Sequence, residues 1–204
     1  MSVRYDDLLP GLRQAYDGGA AERDGYEKEP WKIAERNAFL ERLKAAGCQR
    51  LLEVGAGTGQ DSLFFQQNGL SVVATDLSQE MVERCRAKGL DARVADFLGL
   101  DLPGESFDAV YALNCLLHVP NADLPAVLSS IHRMLRVGGW FYFAVYGGDG
   151  TEGIHETDQH RPKRFFSLRT DEQIQRFAAE HFAVEDFHVV TVEPYRMQCL
   201  TLRK

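Results

Sequence analysis

The chain has 204 residues, 45% of them hydrophobic and 26% charged, which is enough for one well-buried domain and too little for two large ones. Its 30 acids against 23 bases leave a formal net charge of −7, which argues against DNA or RNA as the main partner, because polyanion binding draws on clustered Lys and Arg. No stretch approaches the roughly 18 apolar residues that span a bilayer, the first residues lack the apolar core of a signal peptide, and the four cysteines are scattered without a CxxC pair; a cytoplasmic, reduced, non-membrane protein is expected.

Residues 1–48 predict two amphipathic helices, about 3–17 and 29–46, joined by a turn at Gly18-Gly19. Pro30 suits the first turn of the second, with Ile33, Phe39, Leu40 and Leu43 inside. The apolar run Leu51–Val54 then reads as a buried parallel strand that empties into Gly55, Gly57 and Gly59, followed by a helix with Asp61 in its first turn. Glycines here permit a tight turn and close approach of a ligand to the backbone. A pyrophosphate site would read G-x-G-x-x-G, but the third glycine position holds Gln60. Glu53, two places before Gly55, puts a carboxylate at the strand end, where it repels phosphate and suits an ammonium group. The next strand, Leu70–Asp76, ends 21 residues after Gly55 in an acid that can accept both hydroxyls of a ribose. Ser78 caps a helix with Met81, Val82 and Cys85 inward, and Gly89 stops it. After the short strand Ala92–Ala95, Asp96-Phe97 sets an acceptor beside an aromatic ring, suited to the amino group and face of an adenine. Ammonium, ribose and adenine together describe S-adenosylmethionine.

From Arg50 to Phe143 strands and helices alternate, which requires right-handed crossovers and a parallel sheet. A strand over Ser106–Asn114 leads into Cys115–Val119, with His118 four residues past Asn114. Leu124, Val127, Leu128, Ile131 and Leu135 have helical spacing, and Gly138-Gly139 are expected to stop that helix before a strand from Trp140 to Tyr146. About eighteen residues without clear periodicity follow Gly147-Gly148-Asp149-Gly150, so a functional loop is expected over 147–169. Its basic run His160-Arg161-Pro162-Lys163-Arg164, with Arg169, would steer an anionic group on a small substrate. His155, Glu156, Asp158 and His160 fit no compact ligand spacing, and no metal is expected. Thr170–Gln173 is a capping box for a helix carrying Ile174, Phe177 and Ala178, and Val184–Val192 with Met197–Leu202 predict a closing antiparallel pair.

These segments resemble the class I, seven-strand S-adenosylmethionine-dependent methyltransferases of the small stand-alone kind, over nearly the whole length. The family's glycine motif matches Glu53–Gly59, its ribose acid Asp76, its adenine pair Asp96-Phe97, its fourth-strand motif Ser106–Asn114, and its helix-to-strand junction Met134–Phe143. The resemblance implies an α/β, three-layer doubly wound sheet of seven strands, mostly parallel with an antiparallel C-terminal strand, and helices on both faces. One domain would cover 1–204: an N-terminal helical cap (1–48), a cofactor-binding core (49–146), a lid loop (147–169) and a C-terminal helix with strand pair (170–204). It implies cofactor contacts from Glu53, Gly55, Ala56, Gly57, Thr58, Gly59, Asp76, Leu77, Met81, Asp96, Phe97 and Asn114. Trp31 and Arg36 match a W…R…FL segment whose arginine lies near the methionyl carboxylate, which a guanidinium can grip bidentately. Methyl transfer to O, N or S of a small, anionic acceptor is then expected, by positioning and desolvation, with His118 as base candidate and Tyr146 as a second. Neither nucleic acid nor membrane is an expected partner, and the chain is expected as a monomer or homodimer. Two other classes are a nucleotide-cofactor oxidoreductase, disfavoured by Gln60 and Glu53, and an S-adenosylmethionine-binding regulatory or partner subunit without turnover.

Overall fold

A computed structural model describes residues 3–193 and 195–204. The chain opens with α1 (Tyr5–Asp24) and α2 (Pro30–Ala45), then alternates β1 (Arg50–Val54), α3 (Gln60–Gln67), β2 (Ser71–Asp76), α4 (Gln79–Ala87), β3 (Asp91–Val94) and β4 (Phe107–Leu113). A 3₁₀ turn (Leu116–His118) leads to α5 (Leu124–Met134) and β5 (Leu135–Tyr146). A hairpin of β6 (Thr151–Ile154) and β7 (Phe165–Leu168) precedes α6 (Asp171–Ala179), β8 (Ala183–Val192) and β9 (Tyr195–Arg203).

The main sheet has the order β3-β2-β1-β4-β5-β9-β8. β1 to β5 are parallel, and β9 runs antiparallel to both β5 and β8. Strand residues alternate between two cores, as a sheet covered on both faces requires. Leu52, Val54, Val110, Phe141 and Phe143 face α5, α6 and α1, while Leu51, Tyr111 and Tyr142 face α2 and α3. Among the described residues no helix is long and apolar enough to cross a membrane. The four cysteines carry no disulfide.

Local chemistry explains the elements that match expectation. Ser78 accepts the Met81 N–H at the start of α4, and Thr170 with Gln173 forms the reciprocal capping box of α6. Four expectations need correction. Helix α1 runs through Gly18-Gly19 to Asp24 instead of turning there. Its buried Tyr5, Leu12, Ala15 and Ala20 outweigh the roughly 1 kcal/mol that each helical glycine costs. Ile33 is exposed, so the inner face of α2 is Phe39, Leu40 and Leu43. Gly138-Gly139 do not stop α5, which ends at Met134 and passes straight into β5. Leu135 pairs with Phe107 and Trp140 with Ala109, so the two glycines lie in a bulge; a Cβ at Gly139 would come within 2.9 Å of the Arg136 carbonyl. The expected lid loop contains the β6–β7 hairpin, whose strands of four residues are too short for periodicity to reveal.

Candidate active site

The carboxyl ends of parallel strands expose unpaired backbone groups beside helix N-termini, and ligands of such sheets gather there. In this chain the ends of β1, β2 and β4 border two contiguous cavities, and a third adjoins the first at the end of β5. The first, of about 420 Å³, is walled by Glu53, Gly55 to Thr58, Asp61, Asn114 and Tyr146, and by Arg23, Tyr26, Lys28 and Lys32 from the N-terminal segment. The second, about 50 Å³, shares Gly55, Gly57 and Asn114 with it and continues past Asp76, Leu77, Phe97 and His118 beneath Tyr5, Leu12 and Tyr16. A third, about 800 Å³, lies under the hairpin, shares Tyr146 with the first, and is lined by His155, His160, Arg164, Phe166, Tyr195 and Arg196.

The glycine turn does separate jobs at each glycine. A Cβ on Gly55 would lie 2.4 Å from the Cys115 Cβ, and one on Gly59 2.7 Å from a Leu90 methyl, so these two are required by packing. Gly57, at φ +56°, faces the cavity and donates its N–H to Asp76 Oδ2 at 2.8 Å. Asp76 Oδ1 accepts the Ser78 N–H at 2.9 Å. Burial raises the Asp76 pKa, against the pull of those two N–H donors.

Glu53 is buried at the end of β1 and accepts a hydrogen bond from Ser62 Oγ. Burial, reinforced by the charge of Asp61, pushes its pKa up to about 8, so the ligand-free carboxyl holds a proton at neutral pH. Asp61 is itself held by Lys28 Nζ at 2.8 Å and Arg36 Nη1 at 3.0 Å. Asn114 follows β4 at φ +54°, a left-handed conformation that Asn tolerates better than most residues, and its buried Oδ1 has no hydrogen-bond partner among the described residues.

His118 is buried between two hydrogen bonds of 2.6 Å, to Tyr16 Oη at Nε2 and to the Phe165 carbonyl at Nδ1. A carbonyl only accepts, so Nδ1 carries the proton and Nε2 accepts from Tyr16. Burial drives its pKa down to about 3, and the ring is neutral. Tyr16 Oη accepts from Arg164 Nη1 at 3.0 Å, and Arg164 pairs with both oxygens of Asp158 at 2.8 and 2.9 Å. Burial disfavours the Asp158 charge, yet the Arg164 hydrogen bonds outweigh it and hold that carboxyl well below its usual range.

Several expected contacts fall elsewhere. Arg36 is spent on Asp61 and lies over the Phe64 ring at 3.8 Å, and Trp31 packs against the core beside α2; neither lines the cavities. Lys28, Lys32 and Arg23 are the cations that line the first cavity. Asp96 Oδ1 accepts the N–H groups of Leu98 and Gly99, so it braces a turn outside the cavities, whereas Phe97 lines the second and stacks on Tyr5 at 5.6 Å. Met81 is fully buried in the first turn of α4 and lines no cavity. The basic run is mostly paired: Lys163 with Glu156, Arg164 with Asp158. Arg169 is buried, with Nη2 donating to the Val119 carbonyl at 2.6 Å and Nε to Asn121 Oδ1 at 2.7 Å, so it ties the chain together and faces no ligand. Sequence reasoning missed Tyr5, Tyr16 and Arg23. Their spacing with Leu12, at i, i+7, i+11 and i+18, is the signal that could have found them, because it puts all four on one face of α1.

The family described as "Methyltransferase domain" matches residues 52–143, the stretch from β1 to β5. An uncharacterized methyltransferase of Synechocystis sp. is 34% identical over 104 residues, covering 50% of this chain and 49% of that protein. Glycine N-methyltransferase of Mus musculus is 34% identical over 129 residues, covering 53% and 44%. The chain thus spans about half the length of these curated relatives. Among solved structures, 1,6-didemethyltoxoflavin-N1-methyltransferase of Burkholderia thailandensis, with bound 1,6-didemethyltoxoflavin and S-adenosylhomocysteine, superposes with a TM-score of 0.74 at 24% identity over 100% of this chain and 92% of its own. With the seven-strand order, the glycine turn and the acids at the ends of β1 and β2, these matches lead to one assignment: residues 52–143 are a methyltransferase domain, in a chain with the class I S-adenosylmethionine-dependent methyltransferase fold.

Proposed function

We propose that the chain transfers a methyl group from S-adenosylmethionine to O, N or S of a small molecule in the cytoplasm. The observation that carries this reading is the wall of the first cavity, in which a buried Glu53 and the unpartnered Asn114 Oδ1 are joined by the cations Lys28, Lys32 and Arg23. A wall that holds both acceptors and cations suits a zwitterionic amino-acid head. Glu53 and Asn114 would take the ammonium, and Arg23, which has no acidic partner among the described residues, the carboxylate. Gly55 to Gly59 would flank the chain, Asp76 would accept the ribose hydroxyls, and Leu77 and Phe97 would hold the adenine. Bound there, S-adenosylmethionine supplies a methyl group on a sulfonium, which needs no further activation by the protein.

The protein's task is then to hold the acceptor and exclude water. The third cavity meets the first at Tyr146 and is the natural seat for the acceptor. Its Phe166, Tyr195 and Tyr146 rings favour a planar, aromatic or heteroaromatic molecule. The expected anionic group draws less support, because Lys163 and Arg164 already have acidic partners. His118, neutral and of low basicity, is assigned to hold Tyr16 in place at the junction, so transfer relies on positioning.

Calorimetry with S-adenosylmethionine, S-adenosylhomocysteine and NAD, followed by a methyl-donor turnover screen against small heteroaromatic acceptors, tests the reading. Binding of the first two without NAD and with turnover supports it; binding without turnover leaves a regulatory subunit, and NAD binding alone overturns it.

A further inference from the structure

On the opposite face of the sheet from α5, far along the chain from the glycine turn, three different metal-binding donor types converge. His188 on β8 and Cys199 on β9 are direct partners in the antiparallel register, so their side chains share a face. Glu35 of α2 lies over that face, with its Oε1 3.1 Å from His188 Nε2. One donor atom from each of Glu35, His188 and Cys199 lies within 4.8 Å of the other two. None of the three lines the cavities of the active site.

The geometry points to a binding site for one zinc-like divalent transition metal ion, ligated by Glu35 Oε, His188 Nε2 and Cys199 Sγ. The nitrogen, oxygen and sulfur donors form a set that zinc accepts, whereas the hard cations Ca²⁺ and Mg²⁺ take oxygen alone. Two donors held by a tetrahedral zinc at 2.0–2.1 Å are roughly 3.3 Å apart, close to the observed separation of Glu35 and His188. The surroundings are those of a metal-bound histidine. Asp186, two residues earlier on the same face of β8, pairs with His188 Nδ1 at 2.7 Å, which keeps a proton there once Nε2 gives up the one it shares with Glu35 and turns its lone pair to an ion. The Tyr142 hydroxyl donates to Glu35 Oε2 at 2.9 Å, so the carboxylate is held from behind as well. Binding replaces the Glu35–His188 contact with two bonds to the ion; the Nε2 proton of that contact and the Cys199 thiol proton leave to solvent as the metal–nitrogen and metal–sulfur bonds form. Thiolate and carboxylate then balance the two positive charges. The fourth position is left to water. The ion would clip α2 onto the β8–β9 edge, one residue from Arg36, whose ion pair with Asp61 adjoins Glu53. Sequence spacing could not suggest this site, because its donors are spread over 165 residues and only strand pairing unites them.

The test uses the intact chain after chelator treatment, titrated with Co²⁺ as the spectroscopic probe and then with Zn²⁺. Expected are one Co²⁺ per chain with a thiolate-to-cobalt charge-transfer band, displacement by Zn²⁺, and a higher melting temperature with Zn²⁺ present. Cys199→Ser should abolish the charge-transfer band. Because Cys199 is buried and its replacement could disturb folding, the exposed edge supplies the second arm: His188→Ala and Asp186→Asn should each weaken Zn²⁺ binding by roughly tenfold or more. Absence of binding at ~100 µM ion, binding without the thiolate band, or binding unchanged by His188→Ala, as at His155 and His160, would overturn the site.

Discussion

Glu53 carries the clearest consequence at the scale of single residues. Its folded pKa of about 8 exceeds the ordinary 4.5, so its contribution to stability is fully present below pH 4.5 and is lost as pH rises through 8. In the ligand-free protein, Glu53→Gln should therefore flatten the fall in melting temperature between pH 5 and 9. A bound ammonium reverses the preference and ionises the carboxyl. Binding of S-adenosylhomocysteine at pH 7 should release about one proton, seen by calorimetry in buffers of different ionisation heat, and the variant should release none. Asp76→Ala removes an acceptor already oriented by the Gly57 and Ser78 N–H groups. It should weaken S-adenosylhomocysteine by about 2–4 kcal/mol; a change below threefold would remove Asp76 from the ribose site. For His118, buried and held below its usual pKa, the expected result is a neutral positioning role: His118→Ala should lower kcat by less than about tenfold, and a fall near 10²-fold would restore the general base.

Among the elements, α1 and the β6–β7 hairpin decide access. Tyr5, Leu12 and Tyr16 leave only about 50 Å³ beside Asp76 and Phe97, well short of the roughly 300 Å³ of a typical ligand pocket. A nucleoside needs α1 to move outward. Besides its ties to α4 through Asp17 and Asp24, α1 is held by the chain of hydrogen bonds from Asp158 through Arg164 and Tyr16 to His118, joining helix, hairpin and the turn after β4. Arg164→Ala should therefore speed amide hydrogen exchange in both α1 and the hairpin, with little change in β1 or β4. Bound S-adenosylhomocysteine should slow exchange in α1 again. Exchange confined to the hairpin in that variant would show that the two are not latched together. Gly18-Gly19 lies inside α1, which disfavours proteolysis there in the free protein.

The whole molecule folds around one sheet whose last strand to pair with the parallel set is the last in the chain. The two cores share one sheet, and the one under α5 runs continuously from Tyr5 to Leu202, so heating should give a single transition with coincident near- and far-ultraviolet circular dichroism. Ending the chain after residue 146 would uncover β5, buried from Trp140 to Val145, and should cause aggregation. The order of elements, the glycine turn, the caps at Ser78 and Thr170 and the acids at the ends of β1 and β2 were all legible in the amino-acid sequence, because each depends on neighbours within a few residues or on a fixed crossover. The hairpin, the latch over His118, the fate of Arg36 and Arg169, and the meeting of Glu35, His188 and Cys199 were not. Their partners lie far away in sequence, at separations of 25 residues for Arg36 with Asp61 and 102 for Tyr16 with His118. Local propensity and spacing determined which strands and turns form and which cofactor suits them. Only tertiary packing decided which cation meets which carboxylate, because a charge released from one partner takes whichever buried acceptor the fold brings within reach.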